Sequence, residues 1–211
     1  LFAAGDGAPA VLVHPPGAAY RDAFLPALTE ALPKGVASLL VVVGHVNPNR
    51  VALLRDLAES YAGLELVVSN AGAKLINELW SQRKPAPPGE ESDATPLPSL
   101  PPMRVIRQEQ SLPLSHQRSL LLLPAPTPRW PGGLLAFEET LGLLMSDKFF
   151  SAHLCTEDWA EANRSSTDEE RRHFYDCLMA PMAQQVDALV ERLEELEIRT
   201  VAPGHGPAIE S

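Results

Sequence analysis

Apolar and polar residues follow one another along the first eighty residues in a pattern that predicts strands and helices in turn. Apolar residues at helical spacing, or in short continuous runs, predict helices over 19–32, 49–61 and 72–80 and strands over 10–13, 37–43 and 64–68. Asn49 is the expected N-cap of the second helix. Leu1-Phe2 pairs with the first strand in a predicted hairpin. Such alternation is typical of a layered α/β domain.

The second half of the chain predicts shorter strands and one long helix. Strands are expected at 103–107, 119–124, 134–137 and 143–145, which indicates a second sheet. A helix is predicted over 176–197, because one apolar stripe continues through Leu178, Met182, Val186, Leu189, Leu193 and Leu196. This stripe is expected to be core. A last strand over 198–202 leads into a glycine-flanked histidine, His205.

Residues 82–102 break this pattern, because they are rich in proline and charge and nearly lack large apolar residues. We expect a disordered surface insertion, with a polyproline-type ligand as the other interpretation. The remainder of residues 1–211 is expected to form one domain. Since the chain begins with Leu1, we expect a fragment of a larger multidomain protein.

Composition narrows the class of protein. The formal net charge of −10 over 211 residues disfavours a nucleic-acid partner, which needs clustered lysine and arginine. No apolar run approaches the roughly 18–20 residues of a membrane span, so no membrane insertion is expected. No signal or transit peptide is evident. Two cysteines, Cys155 and Cys177, are expected to be reduced and mostly buried.

His45 is the first candidate site residue, because it follows an apolar strand and precedes a helix. The run from His45 to Arg50 has the spacing of the His-x-[His/Glu]-x-Asp-His cluster of metallo-β-lactamase-like folds, with Asn47 and Asn49 at the third and fifth places. Taken alone, Asn47-Pro48-Asn49 favours a turn followed by a helix cap over a metal site. His205 is a second strand-end candidate. His14, His116 and His173 are assigned to structure or solvent.

Five blocks occur in the order typical of one family and cover most of residues 37–207. They are Gly44–Arg50, Thr127–Gly133, Ser146–His153, Tyr175–Met182 and Ala202–Pro207. With them the chain resembles the N-terminal metallo-β-lactamase-like domain of flavodiiron proteins, and is most similar to the A-type subunits of the photosynthetic branch. The resemblance implies an αβ/βα sandwich whose N-terminal strands are missing from this fragment.

The resemblance also assigns seven metal-ligand positions, of which this chain keeps only two histidines. His45 and His205 stand at the first and last positions. The five altered positions are Asn47, Asn49, Arg50, Arg129 and Lys148, the last in place of a bridging aspartate. Asp147 lies one residue before that position. His153, which ends a block, is expected to orient neighbouring groups.

This set of residues does not suit iron. Asparagine carbonyls are poor iron ligands, and one cation about 5 Å from a dication costs about 6 to 7 kcal/mol at an effective dielectric of about 20. We therefore expect no di-iron centre and no catalytic residue in this domain. A polar network of Asp147 with a neighbouring carboxylate, or a bound anion such as chloride or phosphate, is expected to neutralise the cations. With a bound anion, the metal pocket would become an anion pocket.

The resemblance implies a subunit of an oxygen reductase that passes electrons from NAD(P)H or ferredoxin through FMN to dioxygen, forming water. FMN is expected in a flavodoxin-like domain outside the fragment, and this domain acts as a scaffold in an oligomer, beside an iron-containing subunit when the oligomer is mixed. A metal-dependent hydrolase and a non-catalytic anion-binding module are the alternatives. The expected compartment is the chloroplast stroma for an algal protein or the cytoplasm for a cyanobacterial one.

Overall fold

The protein folds as two stacked β-sheets with helices on both outer surfaces. The computed structural model describes residues 1–2, 9–36, 38–82, 96–160 and 164–210, with the side chains of residues 164–166 left aside. No helix within these ranges is long and apolar enough to cross a membrane.

The first sheet is parallel and has four strands. In their order across the sheet they are β1 (Ala10–Val13), β2 (Leu39–Val42), β3 (Leu64–Ser69) and β4 (Met103–Ile106). Three helices, α1 (Arg21–Ala31), α2 (Pro48–Ser60) and α3 (Asn70–Trp80), accompany this sheet. Leu39 and Val41 pack with the helices, whereas Leu40 and Val42 pack toward the other sheet. Because both faces of β1 and β2 are buried, these two strands are apolar without alternation.

The second sheet has six strands and is antiparallel except between β8 and β9. Its strands are β5 (Gln110–Pro113), β6 (Ser119–Pro124), β7 (Leu134–Glu138), β8 (Leu143–Asp147), β9 (Thr200–Pro203) and β10 (Ile209–Glu210). Leu120, Leu122 and Leu134 share a core with the first sheet. Helices α4 (Arg164–Leu178) and α5 (Ala183–Leu193) cover the outer face. The predicted αβ/βα sandwich is confirmed.

The prediction of one helix over 176–197 is wrong. Helix α4 ends at Leu178, a 3-10 turn spans Ala180–Met182, and α5 begins at Ala183. Pro181 cannot donate a backbone hydrogen bond, which favours a break here. The apolar stripe nevertheless packs in one cluster against the second sheet, so its assignment to the core is correct.

Two predictions around the proline-rich segment also need correction. Met103–Ile106 pairs in parallel with β3 and so belongs to the first sheet, because an apolar pattern does not identify a strand's neighbour. The insertion was drawn too long, since Trp80 Nε1 donates to the Pro98 carbonyl and the Leu66 amide to the Pro102 carbonyl, both at 2.9 Å. Residues 83–95 of the predicted disordered insertion lie outside the described residues.

The cap of α2 and the two cysteines differ from expectation. Asn47, not Asn49, is the N-cap, because its side chain accepts from the Arg50 amide at 2.8 Å. Pro48 then occupies the first turn, where its missing amide is not needed. Cys155 and Cys177 are free thiols but exposed, so the prediction that they are buried is wrong. Phe2 pairs antiparallel with Val11 as the predicted hairpin requires, but the turn itself lies outside the described residues.

Candidate functional site

One cleft of about 600 Å³ gathers most of the candidate site residues. His45 follows β2, Asp147 ends β8, and His205 follows β9, so the carboxyl ends of these strands meet there. The cleft is lined by Pro16, Gly17, Ala19, Tyr20, Ala23, Phe24, His45, Asn47, Asn49, Arg50, Asp147, Lys148, Gly204 and His205. Six of the seven positions that the resemblance assigned to metal ligands therefore come together.

The inner part of the cleft holds a hydrogen-bonded ion pair. Asp147 Oδ2 lies 2.6 Å from His45 Nδ1, and Arg50 Nη1 donates to Asp147 Oδ1 at 3.4 Å. All three residues are at most 8% exposed. Arg50 also donates from Nη1 to the His45 carbonyl at 3.2 Å. We call His45, Asn47, Arg50 and Asp147 the buried end of the cleft. Its cation and carboxylate neutralise each other.

Asn47 joins this network to helix α2. Its Nδ2 lies 3.1 Å from His45 Nε2, while its Oδ1 accepts from the Arg50 amide. With the proton on Nδ1, His45 donates to Asp147 and accepts from Asn47, so both ring nitrogens are engaged. Arg50 Nη1 lies 3.0 Å from His45 Nδ1 and then donates to the His45 carbonyl and the Asp147 carboxylate instead. The Asn47 side chain therefore both caps helix α2 and orients the His45 ring.

Two glycines allow Asp147 to approach. A Cβ at Gly44 would lie 2.8 Å from Asp147 Cγ, and one at Gly204 would lie 2.6 Å from the Asp147 carbonyl oxygen. Both separations are shorter than real contacts allow. Asp147 itself has φ 50°, a left-handed conformation that aspartate tolerates better than most residues. The strand end is therefore shaped to place this carboxylate.

Lys148 and His205 form the opposite part, which we call the open end. Lys148 Nζ lies 2.6 Å from His205 Nε2, and both side chains line the cleft. Burial lowers the pKa of Lys148; Asp147 opposes this shift, and Arg50 and Arg129 add to it. Burial and the Lys148 charge lower the pKa of His205 to about 4, so this ring is neutral at pH 7.

The surroundings of Asp147 and His45 at the buried end determine the charge state of each. Burial alone would raise the pKa of Asp147, but the His45 hydrogen bond and the Arg50 charge outweigh it, so this pKa lies well below the usual range. Burial lowers the pKa of His45 despite the Asp147 contact. At neutral pH we therefore expect a neutral histidine between a carboxylate and a guanidinium.

Two sequence-predicted residues do not line the cleft. Arg129 is exposed and its guanidinium lies 5.5 Å from the Trp130 ring centre, as in a cation–π pair. His153 contacts His205 edge to face, with ring centres 5.2 Å apart, and contacts Phe174 in the same way. Arg129 still acts on the site through its charge on Lys148.

Sequence reasoning missed the aromatic wall of the cleft, and it missed the electrostatic coupling of His14 to Asp147 and Arg50. His14 follows β1 with φ 53°, and burial lowers its pKa to about 4 while Asp147 and Arg50 act on it electrostatically. Its position at a strand end was the only available signal. Tyr20 and Phe24 line the cleft from the start of α1, and Tyr20 is 66% exposed.

These residues do not fit a di-iron centre. Among the described residues, no three histidine, cysteine, aspartate or glutamate side chains are grouped so that they could hold a metal ion. His45 is engaged by Asp147 and Asn47, and His205 Nε2 faces the Lys148 amine. Iron sites need imidazoles and carboxylates with open positions. What the cleft offers instead is positive charge at its open end.

Comparison with known proteins finds relatives over most of the chain, although no protein-family model matches it. Diflavin flavoprotein A 4 of Nostoc sp. is 33% identical over 198 residues, which is 94% of this chain and 32% of that protein. The Flv1 flavodiiron core from Synechocystis sp. is 30% identical with a TM-score of 0.81, over 95% of this chain and 46% of that one. A fragment of diflavin flavoprotein A 5 from Nostoc sp. is 29% identical with a TM-score of 0.80, over 95% and 73%.

The two-sheet sandwich with a cleft at its strand ends defines a metallo-β-lactamase-like domain. The chain spans about a third of the length of the curated relatives it matches. Within that class, the chain is similar over 94% of its length to a diflavin flavoprotein and over 95% of its length to a solved flavodiiron core. The resemblance stated from the sequence is therefore confirmed.

Proposed function

We propose that this chain is a domain of a flavodiiron oxygen reductase subunit and that the domain itself holds no di-iron centre. The whole protein reduces dioxygen to water with electrons from NAD(P)H or ferredoxin. FMN carries these electrons in a flavodoxin-like domain outside the 211 residues. The relatives' description as diflavin flavoproteins supports a flavin-based reaction.

One observation supports the proposed absence of iron: both retained histidines contact groups that would compete with a metal ion. Asp147 and Asn47 engage His45, and Lys148 Nζ lies 2.6 Å from His205 Nε2. Arg50 and Lys148 place positive charge where the resemblance puts ligands. A metal ion would have to displace these contacts and tolerate the cations.

We propose that the domain acts as a scaffold and electron-transfer partner beside an iron-containing flavodiiron subunit. The preserved fold with altered ligand positions supports this role. The test compares NAD(P)H-dependent oxygen consumption of the full-length protein alone, of an iron-containing partner alone, and of the two co-expressed. Activity well above the sum of the separate proteins, in a co-purifying complex, is expected. Full activity of the protein alone, with bound iron, contradicts the proposal.

The compartment and other partners remain predictions. The relatives described above are cyanobacterial, which favours the cytoplasm over the chloroplast stroma. With a formal charge of −10, the chain is not expected to bind nucleic acid.

Anion binding is the second candidate function, favoured by the open end of the cleft. Lys148 lines it, Arg50 and Arg129 act on Lys148 electrostatically, and Asp147 is already paired with Arg50. An anion there would offset the excess charge. Titration with chloride or phosphate at constant ionic strength should raise the melting temperature. No shift with either anion would exclude this candidate. The hydrolase alternative requires three metal ligands and an open position, and nothing in the cleft favours it.

A further inference from the structure

A second cavity, separate from the cleft, lies between the helices on the outer face of the second sheet. Helices α4 and α5 and the turn after β8 form its walls, and we call it the helix pocket. Its volume is about 390 Å³, which suits a small organic ligand. None of the residues that line it also lines the cleft. The proposed function therefore makes no use of this pocket.

The inner surface of the helix pocket is apolar and well shielded from water. Phe149, Phe174, Met179 and Val186 line it, and each is at most 6% exposed. Tyr175, which is 38% exposed, lines the pocket nearer to solvent. An apolar group that entered the pocket would leave water for aromatic and aliphatic side chains, which favours binding. The pocket thus selects ligands with an apolar body.

The wall formed by Phe149 and Phe150 is held in place before any ligand arrives. Ser146 Oγ donates to the Phe149 carbonyl at 2.7 Å, and Arg171 Nε donates to the Phe150 carbonyl at 3.1 Å. Phe150 has φ 60°, a left-handed conformation that is rare for a bulky residue. Such strain persists where surrounding contacts enforce it, and it is found at ligand sites. The pocket is therefore preformed, which lowers the entropic cost of binding.

The polar side of the pocket carries an excess of positive charge. Asp168, Arg171 and Arg172 line it, and Arg171 Nη1 lies 3.6 Å from Asp168 Oδ1. Arg172 is exposed, and none of the described carboxylates forms a salt bridge with it. Glu169 and Glu170, on the same helix, do not line the pocket. In a chain with a net charge of −10, this is a local departure that favours an anionic ligand.

We propose that the helix pocket binds small monocarboxylic acids that have an apolar body. The carboxylate pairs with the Arg172 guanidinium, which can donate two parallel hydrogen bonds to it. The apolar body lies against Phe149, Phe174 and Val186. A neutral ligand of the same shape lacks the charged contact, and a dicarboxylic acid would place its second charge against apolar side chains at a high desolvation cost. The inference does not rest on the proposed function, because no metal-ligand position lines this pocket.

The test measures binding of phenylbutanoate and of its uncharged counterpart phenylbutanol to the full-length protein by isothermal titration calorimetry. Phenylbutanoate should bind at least about tenfold more tightly, as one charge-assisted hydrogen-bonded contact predicts. Arg172→Gln should remove this difference by weakening phenylbutanoate binding about tenfold and leaving phenylbutanol binding unchanged. Arg107→Gln, at an exposed arginine outside the pocket, is the matched control and should bind both compounds as the unchanged protein does.

A second variant locates the binding site. Val190→Phe fills part of the pocket, so both compounds should bind much more weakly, and thermal unfolding verifies that the variant folds. Arg172→Gln, at an exposed residue, remains decisive if Val190→Phe does not fold. Absence of phenylbutanoate binding would overturn the proposal, as would equal affinity for the two compounds. Phenylbutanoate binding that Arg172→Gln does not weaken would overturn it as well, because the carboxylate would then be bound elsewhere.

Discussion

The two ends of the cleft each hold a cationic side chain, and the two cations differ in the groups that surround them. At the buried end, the cation brought by Arg50 meets the carboxylate of Asp147, and His45 and Asn47 complete the hydrogen bonding. At the open end, Lys148 contacts His205, which is neutral, and forms no salt bridge with a carboxylate of the described residues. The buried end therefore serves the stability of the fold. The open end is left available for a ligand.

Replacing Asp147 should produce the largest effect. Asp147→Asn leaves Arg50 buried without its carboxylate, so we expect the free energy of unfolding to fall by about 3–5 kcal/mol. Asp56→Asn is the matched control, because Asp56 pairs with Arg21 at a more exposed site (side chains 20% and 47% exposed) and should cost at most about 1 kcal/mol. Urea denaturation of both variants measures the difference. Equal losses would show that the buried end is not a distinct stabilising network.

The second largest effect is expected from acid, which should destabilise the folded protein through its strand-end histidines. His14 has a pKa of about 4 when folded against 6.5 as its usual value, so the unfolded chain binds more protons between these values. The free energy of unfolding should therefore fall by up to about 3 kcal/mol as the pH falls from about 6.5 to about 4.

His205 contributes in the same direction, and the lowered pKa of Asp147 adds a further loss as the pH falls below about 4. His14→Asn keeps a residue that tolerates the left-handed backbone and should flatten the pH dependence between 4 and 6.5. Denaturation curves at several pH values measure this. An unchanged slope in the variant would contradict the lowered pKa of His14.

The corrected cap of α2 predicts a smaller difference between two neighbouring asparagines. Asn47→Ala removes both the cap of the helix and the contact to His45, so a loss of at least about 1 kcal/mol is expected. Asn49→Ala should stay within about 0.5 kcal/mol of the unchanged protein. Thermal unfolding of both variants distinguishes them. A larger loss of stability for Asn49→Ala than for Asn47→Ala would indicate that Asn49 is the N-cap, as the sequence suggested.

At the open end, removing the charge should change ligand binding more than stability. Lys148→Met should leave the free energy of unfolding within about 0.5 kcal/mol, because no described carboxylate loses a partner. Phosphate should then stabilise this variant less than the unchanged protein. Arg129→Met, at a residue outside the cleft lining, is the control and should keep most of the phosphate effect. A strong destabilisation by Lys148→Met would show that the open end also stabilises the fold, which would contradict the difference between the two ends.

The sequence anticipated the sandwich through the family resemblance. It anticipated most of the cleft because three of the five blocks, Gly44–Arg50, Ser146–His153 and Ala202–Pro207, lie at the ends of β2, β8 and β9. It did not anticipate that Asp147 would pair with His45, since that contact joins residues 102 positions apart. Nor could it place Met103–Ile106 in the first sheet. Pro181 did signal the break between α4 and α5, but the continuous apolar stripe favoured one helix.

The central claim concerns iron, and metal analysis tests it directly. The full-length protein is produced in iron-rich medium, incubated anaerobically with ferrous iron, desalted, and analysed by mass spectrometry for metal per chain. A variant with the implied ligands restored, Asn47→Glu, Asn49→Asp, Arg50→His, Arg129→His and Lys148→Asp, is treated alongside it. The account predicts only trace iron in the unaltered protein. Stoichiometric iron bound in this domain, and lost on His45→Ala or His205→Ala, would contradict it.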